Sequence, residues 1–178
     1  MADLETGGKR PGCVIFSIGA VYFSPNGLFA EIYTVVSSKD CVKQGLKFDP
    51  ETMKWWNSQT PEARAVVTQA EQSTVTLKSA LNDFTEFLKK HDGTAKAVKL
   101  WGCGPSFDNV IITAAYHAIK QEPPWLYWND RCYRTLKALS DPSIKVDRSG
   151  GTYHNALDDA KAQADHAARI LKAAGREH

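Results

Sequence analysis

Asp3 and Glu5 stand two residues apart in "DLET". In a strand that spacing sends both carboxylates off the same face. Two crowded carboxylates repel each other and are costly to bury unless a divalent cation neutralises them. Mg²⁺ favours such hard oxygen ligands. Asp108 in "SFDNV" opens a helical pattern just after the strand-like "AVKLWG", and sites on sheets gather their ligands at strand ends. Near the C-terminus, "HNALDDAKAQ" places His154 ahead of the neighbouring acids Asp158 and Asp159. Positions 156, 160, 163, 167, 170 and 174 form a small, mostly apolar helical stripe, Ala-Ala-Gln-Ala-Ile-Ala, that must face a sheet. Asp159 falls on that stripe. Asp158 falls with Lys161, Asp165 and Arg169 on the solvated side, where Asp165 and Arg169 are spaced as an i,i+4 pair. Asp159 is therefore the acid expected to do chemistry. A histidine at a helix N-terminus, next to bound cations, is held neutral and can take a proton from water.

The elements that must position these groups follow from periodicity. "CVIFSIGAVYF" reads as a central strand and "LFAEIYTVV" as its antiparallel neighbour across the turn "SPNG", with "DLE" in a strand upstream. Asp49-Pro50 and Thr60-Pro61 each give a cap followed by proline at the first helical position. Leu77, Leu81, Phe84 and Leu88 repeat at helical spacing. "AKAVKLWG" is predicted as a strand. A helix over "PSFDNVIITAAYHAIKQ" follows, with Ser106 as its cap and Ile111, Ala115 and Ile119 on one face. "EPPWLYW" holds a brief strand, "NDRCYRTLKALS" a helix capped by Asn129, and "DPSIKVDRSGG" a loop. The last helix runs from about 155 to Gly175. The order β-β-β-α-α-α-β-α-(β)-α-α implies one α/β domain over 1–178, a mixed sheet with helices on its faces.

Composition narrows the classes. The 178 residues suffice for one well-buried core, and 43% hydrophobic with 24% charged is an ordinary globular balance. A formal net charge of +2 means that affinity for a polyanion must come from local patches. No apolar run approaches the roughly 20 residues that span a bilayer, and "MADLETGGKR" lacks the basic start and apolar core of a signal peptide. Cys13, Cys41, Cys103 and Cys132 form no C-x-x-C pair, so they are expected to be buried free thiols in a reducing, cytoplasmic setting without a zinc site or disulfide.

Asp3-x-Glu5, then Phe107-Asp108, then His154 with Asp159 in H-x-A-x-x-D, together resemble the DEDDh 3′-5′ exonucleases, in the RNase T-like exoribonuclease branch of bacteria and phages. "SIGAVYF", "MKWWNSQTPEA", "LWGCGPSFDN" and "PWLYWNDR" extend the likeness over nearly the whole chain. The resemblance implies an RNase H-like fold, a five-stranded mixed sheet with helices on both faces. It also implies two Mg²⁺ ions, with Mn²⁺ able to substitute, held by Asp3, Glu5, Asp108 and Asp159, and His154 as general base. The implied substrate is the 3′ end of single-stranded RNA or DNA, RNA favoured, released as nucleoside 5′-monophosphates. A homodimer is implied by the same analogy. Only Met1 and Ala2 precede Asp3, where family members carry several apolar residues, so a short first strand is expected. Cys103 stands where the family often has a polar residue.

Single-stranded nucleic acid is gripped by aromatic platforms and backbone cations. Trp56 and Phe107 are candidates for stacking, with Trp55 and Trp101 behind them. Leu4 and Thr6 flank the acids and are placed to touch the terminal sugar, and Asn109 to read a sugar or phosphate. Lys43, Lys47, Lys54 and Arg64 read as solvated surface. Two other functions fit the same fold: a nucleic-acid or partner-binding module with a defunct metal centre, and a DNA proofreading exonuclease acting in trans.

Overall fold

The computed structural model describes residues 1–149, 151 and 154–176. The predicted loop over 141–151 is therefore described except at position 150. Three antiparallel strands, β1 (Ala2–Thr6), β2 (Ile15–Ser24) and β3 (Gly27–Val35), pair in the order β1-β2-β3. The first strand is short, as expected, yet each of its five residues has a partner in β2. "SPNG" closes the β2–β3 hairpin, the Asn26 N–H bonding the Ser24 hydroxyl.

Strand alternation sorts the sheet's two faces. Leu4, Ile18 and Ala20 join a core built with α3 (Pro61–Gln72), α4 (Leu77–Asp92) and α5 (Asp108–Ala118). On the other face Val21 packs in a second cluster with Tyr133 of α6 (Tyr133–Ala138) and Ala160, Ala164 and Ala167 of α7 (Ala156–Ala173). Asp3 and Glu5, opposite Gly19 and Ser17 in register, share this second face. The predicted apolar repeat of α4 is buried at all four positions. On α7 the stripe is buried from Ala156 through Ile170, while Ala174 is exposed beyond the helix end.

Gly19 permits the closest of these contacts. A Cβ there would lie 2.3 Å from the backbone of Ala156 and Leu157, so only glycine lets the first turn of α7 sit on the sheet. Asn155 caps that turn, its side chain accepting from the Leu157 and Asp158 N–H groups.

Several local expectations are corrected. The strand foreseen at 95–102 forms pairs only at β4 (Trp101–Gly102), which runs parallel to β5 (Arg131–Cys132). Residues 131–132 were expected to be helical; because they pair with β4, α6 starts after them with Cys132, not Asn129, at its cap. Asn129 instead ends a 3-10 turn (Tyr127–Asn129) where a brief strand was expected, and its amide donates to the Lys96 carbonyl. Ser106 does not cap α5; Phe107 holds the cap position without a side-chain bond. Two short helices complete the chain: α1 (Ser38–Lys43), unforeseen and capped by Ser37, and α2 (Pro50–Asn57), capped by Asp49 as predicted. The described strands thus hydrogen-bond as a three-stranded and a two-stranded sheet. At their junction the Leu4 N–H, which faces β4, is taken by the Asp108 carboxylate instead of a strand carbonyl. Cys13 and Cys41 are buried, whereas Cys103 and Cys132 are partly exposed, which corrects the expectation of four buried thiols; all four are free.

Candidate active site

A cleft of about 660 Å³ opens over the C-terminal part of β1, between α2 and the turn at 103–107. Asp3, Glu5 and Asp159 form its floor, each offering a carboxylate oxygen within 4.8 Å of the others. The strand period supplies the first two acids and the first turn of α7 the third. Asp108 lies alongside but is held differently. Its Oδ1 accepts the Leu4 N–H at 3.1 Å and its Oδ2 the Cys103 N–H at 2.6 Å. Asp108 therefore ties α5 to β1 and to the end of β4. A Cβ on Gly102 would lie 2.9 Å from the Asp108 Cβ, so glycine is needed there to seat it.

The electrostatics follow from crowding inside the fold. Burial, then the Asp108 and Glu5 charges, raise the Asp3 pKa well above the carboxylate range. Burial, then Asp159 and Asp108, push Glu5 up to about 8. Burial pushes Asp108 up to about 6 against the pull of its two backbone donors. Such a cluster stores repulsion that a divalent cation relieves.

This has a measurable sign. Glu5 takes up its proton below about 8 in the fold but only below 4.5 when unfolded, so between those values the fold binds more protons. Its contribution to stability is therefore greatest below pH 4.5 and is lost as pH rises through 8. Asp3 and Asp108 act with the same sign, while the buried Met1 ammonium, lowered to about 5, acts oppositely. The contribution is read by difference: in EDTA, the melting temperature of wild type should fall relative to Glu5→Gln between pH 5 and pH 8. Parallel melting curves across that range would contradict it.

His154 stands at the cleft's end. Its backbone is left-handed, with φ 62, and its N–H donates to Asp159 Oδ2 at 3.2 Å. The imidazole packs edge-on to Trp55 and Trp56, with ring centroids 5.1 and 5.9 Å away. His154 and Asp159 are thus held to one another at the chain's entry into α7.

The remaining candidates divide. Trp56 is only 2% exposed; it packs against Phe16, and its indole N–H donates to the Thr6 carbonyl at 2.9 Å. It is a core residue with one edge on the cleft, and the exposed indole is Trp55, at 43%. Of the two stacking candidates on this helix, Trp55 is the one with exposed surface on the cleft. Phe107, Leu4 and Thr6 line the cleft, with Thr6 donating its hydroxyl to the Gly8 carbonyl. Trp101 does not; it packs on Phe23 in a different cavity. Asn109 is outside the cleft lining and braces the fold, its amide donating to the Leu100 carbonyl and to Asp130. Lys43, Lys47, Lys54 and Arg64 are exposed and outside the cleft, whose cations are Lys9, Arg134 and Arg148.

Three contributors were missed. Arg148 pairs with Asp159. Arg134 reaches the Cys103 carbonyl beside Asp108. Gln163, buried on the α7 stripe, donates its amide to Asp3 Oδ1 at 2.7 Å while its own carbonyl oxygen has no partner. A lone amide within a stripe of alanines was the signal for Gln163; the arginines lie outside any periodic pattern. Because Gln163 fixes one Asp3 oxygen and leaves the other to the cleft, Gln163→Leu should weaken Mn²⁺ binding by about tenfold, as loss of a ligand's supporting hydrogen bond does. Calorimetric titration measures this, and unchanged affinity would remove Gln163 from the site.

Carboxylates gathered on the floor of a cleft, an imidazole at its end and guanidinium groups on its walls suit a hydrolase acting on an anionic, phosphate-bearing substrate. The chain matches the 3′-5′ exoribonuclease Rv2179c-like domain family over residues 1–171 and belongs to that family. It is also similar to an exodeoxyribonuclease of Enterobacteria phage T4, 24% identical over 159 residues that cover 77% of this chain and 70% of that protein. Both findings agree with the exonuclease expected from the motifs.

Proposed function

We propose that the protein is a divalent-metal-dependent exonuclease of the DEDDh type that shortens single-stranded nucleic acid from its 3′ end. The observation that carries this is the cluster of Asp3, Glu5 and Asp159, with His154 bonded to the last of them. An all-oxygen donor set of this size fits Mg²⁺ or Mn²⁺. Divalent ions held there supply Lewis-acid stabilisation of the attacking and leaving oxygens in an in-line displacement at phosphorus. Asp3, Glu5 and Asp159 hold the ions, and Asp108 adds its charge to them while anchoring β1. His154, fixed by its backbone bond and by the two indoles, accepts the proton of the attacking water. Trp55 and Phe107 face the cleft from α2 and from the 103–107 turn, where they flank the terminal base. Leu4 and Thr6 border the terminal sugar.

In this reading the five strands form the divided sheet of an RNase H-like fold, held together at Leu4 and Asp108. RNA is the favoured substrate because of the family to which the chain belongs; the phage relative is named for DNA. Incubation with 5′-labelled RNA and DNA of one sequence, in Mg²⁺, Mn²⁺ or EDTA, tests the proposal. A metal-dependent ladder receding from the 3′ end is expected, faster on RNA. Cleavage inside the strand, or shortening in EDTA, would contradict it.

A further inference from the structure

Arg148 rests on a carboxylate that the proposed reaction needs. Its guanidinium Nη1 pairs with Asp159 Oδ1, while Oδ2 of the same carboxylate accepts the His154 N–H. Asp159 is one of the three acids whose oxygens converge on the cleft floor. A guanidinium and a divalent cation both drawn to that carboxylate repel each other at close range, so the two compete for it. Arg148 has alternatives, since its side chain is 35% exposed and it borders two cavities. One is the cleft; the other, of about 400 Å³, is lined by Asp147 and Asp165. A phosphate held at the acids brings an anion within the cleft, and the planar guanidinium fork matches phosphate oxygens two at a time.

We propose that Arg148 is a phosphate-binding residue that rests on Asp159 in the free enzyme and transfers to the scissile phosphate when cations and substrate are bound. The proposal rests on the exonuclease reading. It makes Arg148 an internal competitor of the cations before substrate arrives and a contributor to turnover afterwards, so its removal has effects of opposite sign. Free of Arg148, Asp159 binds a cation more tightly, while the phosphate loses a charged donor as its charge builds.

The test pairs two readouts on wild type, Arg148→Ala and Arg148→Lys. Mn²⁺ is titrated calorimetrically without nucleic acid, and kcat/KM is measured on a 5′-labelled oligonucleotide; thermal melting confirms that each variant folds. In Arg148→Ala, Mn²⁺ affinity should rise by about two- to fivefold, the scale of a partly exposed ion pair. Its kcat/KM should fall at least about tenfold, as loss of a phosphate-directed donor does. Arg148→Lys, which keeps the charge but loses the fork, should fall between wild type and Arg148→Ala in both. Unchanged or weaker Mn²⁺ binding in Arg148→Ala overturns the competition. Tighter binding with undiminished kcat/KM overturns the transfer to phosphate, placing the displaced guanidinium in the acidic cavity. A wild-type protein that neither binds Mn²⁺ nor shortens the oligonucleotide fails the exonuclease reading itself and takes this proposal with it.

Discussion

Asp159→Ala should lose at least about a thousandfold of exonuclease turnover, while Asp158→Ala should stay within roughly threefold of wild type. The two acids are adjacent, equal in charge and both in the first turn of α7, so neither net charge nor the helix dipole separates them. Their phase does. Asp159 turns toward β1 and meets Asp3 and Glu5, its other contacts being Arg148 and the His154 N–H. Asp158 lies one helical step round, beside Gly151 and away from the cleft floor. In the proposed mechanism, deleting Asp159 removes a ligand from the cation site and frees the turn that holds His154. Single-turnover assays on a labelled oligonucleotide measure both variants. Equal losses would show that the helix phase does not select the working acid.

Gly19→Val carries the second large effect, on folding and site together. The position is deep in β2, where valine is otherwise favoured, and its backbone angle does not require glycine. The obstacle is backbone, since a Cβ would lie 2.3 Å from Ala156 C and Leu157 N, and neither can rotate aside. Helix α7 must lift from the sheet and open the alanine-rich contact along its length. A loss of about 3 kcal/mol is expected, which for a chain of this size lowers the melting temperature by roughly 6–12 °C. Because the lifted turn carries Asp159 and positions His154, Mn²⁺ affinity should fall in the variant that remains folded. Wild-type melting and wild-type Mn²⁺ binding in Gly19→Val would mean that the close approach of α7 to β2 does not seat the site.

How far the sequence discloses such a site depends on whether periodicity governs the residue. Asp3 and Glu5 share a face because a strand alternates, and Asp159 differs from Asp158 because a helix advances 100° per residue; both inferences need only local geometry. The adjacent indoles show the limit. Trp55 and Trp56 lie next to one another on α2, and Trp56 shares the buried face with Thr52, one turn before it, where it meets Phe16 and the Thr6 carbonyl. Of these two stacking candidates, Trp56 is buried and Trp55 keeps exposed surface on the cleft. Asn109 and Trp101 sit beside the right elements but point elsewhere, since Asn109 is drawn to Leu100 and Asp130 by hydrogen bonds across the chain. Arg148 and Arg134 reach the cleft from a loop and a six-residue helix, where no repeat predicts direction. Strand order fared similarly: the antiparallel hairpin was legible from its turn, but the pairing of Arg131–Cys132 with β4 is a contact between distant segments of two residues each, too short to leave an alternating pattern.

Anomalous scattering of Mn²⁺ in crystals of the protein would reveal whether Asp3, Glu5 and Asp159 hold divalent cations. Anomalous peaks bounded by oxygens of these three carboxylates are expected, lost in crystals of Asp3→Asn grown and soaked alike. Mn²⁺ sites that avoid all three acids, or peaks that persist unchanged in Asp3→Asn, would contradict this expectation.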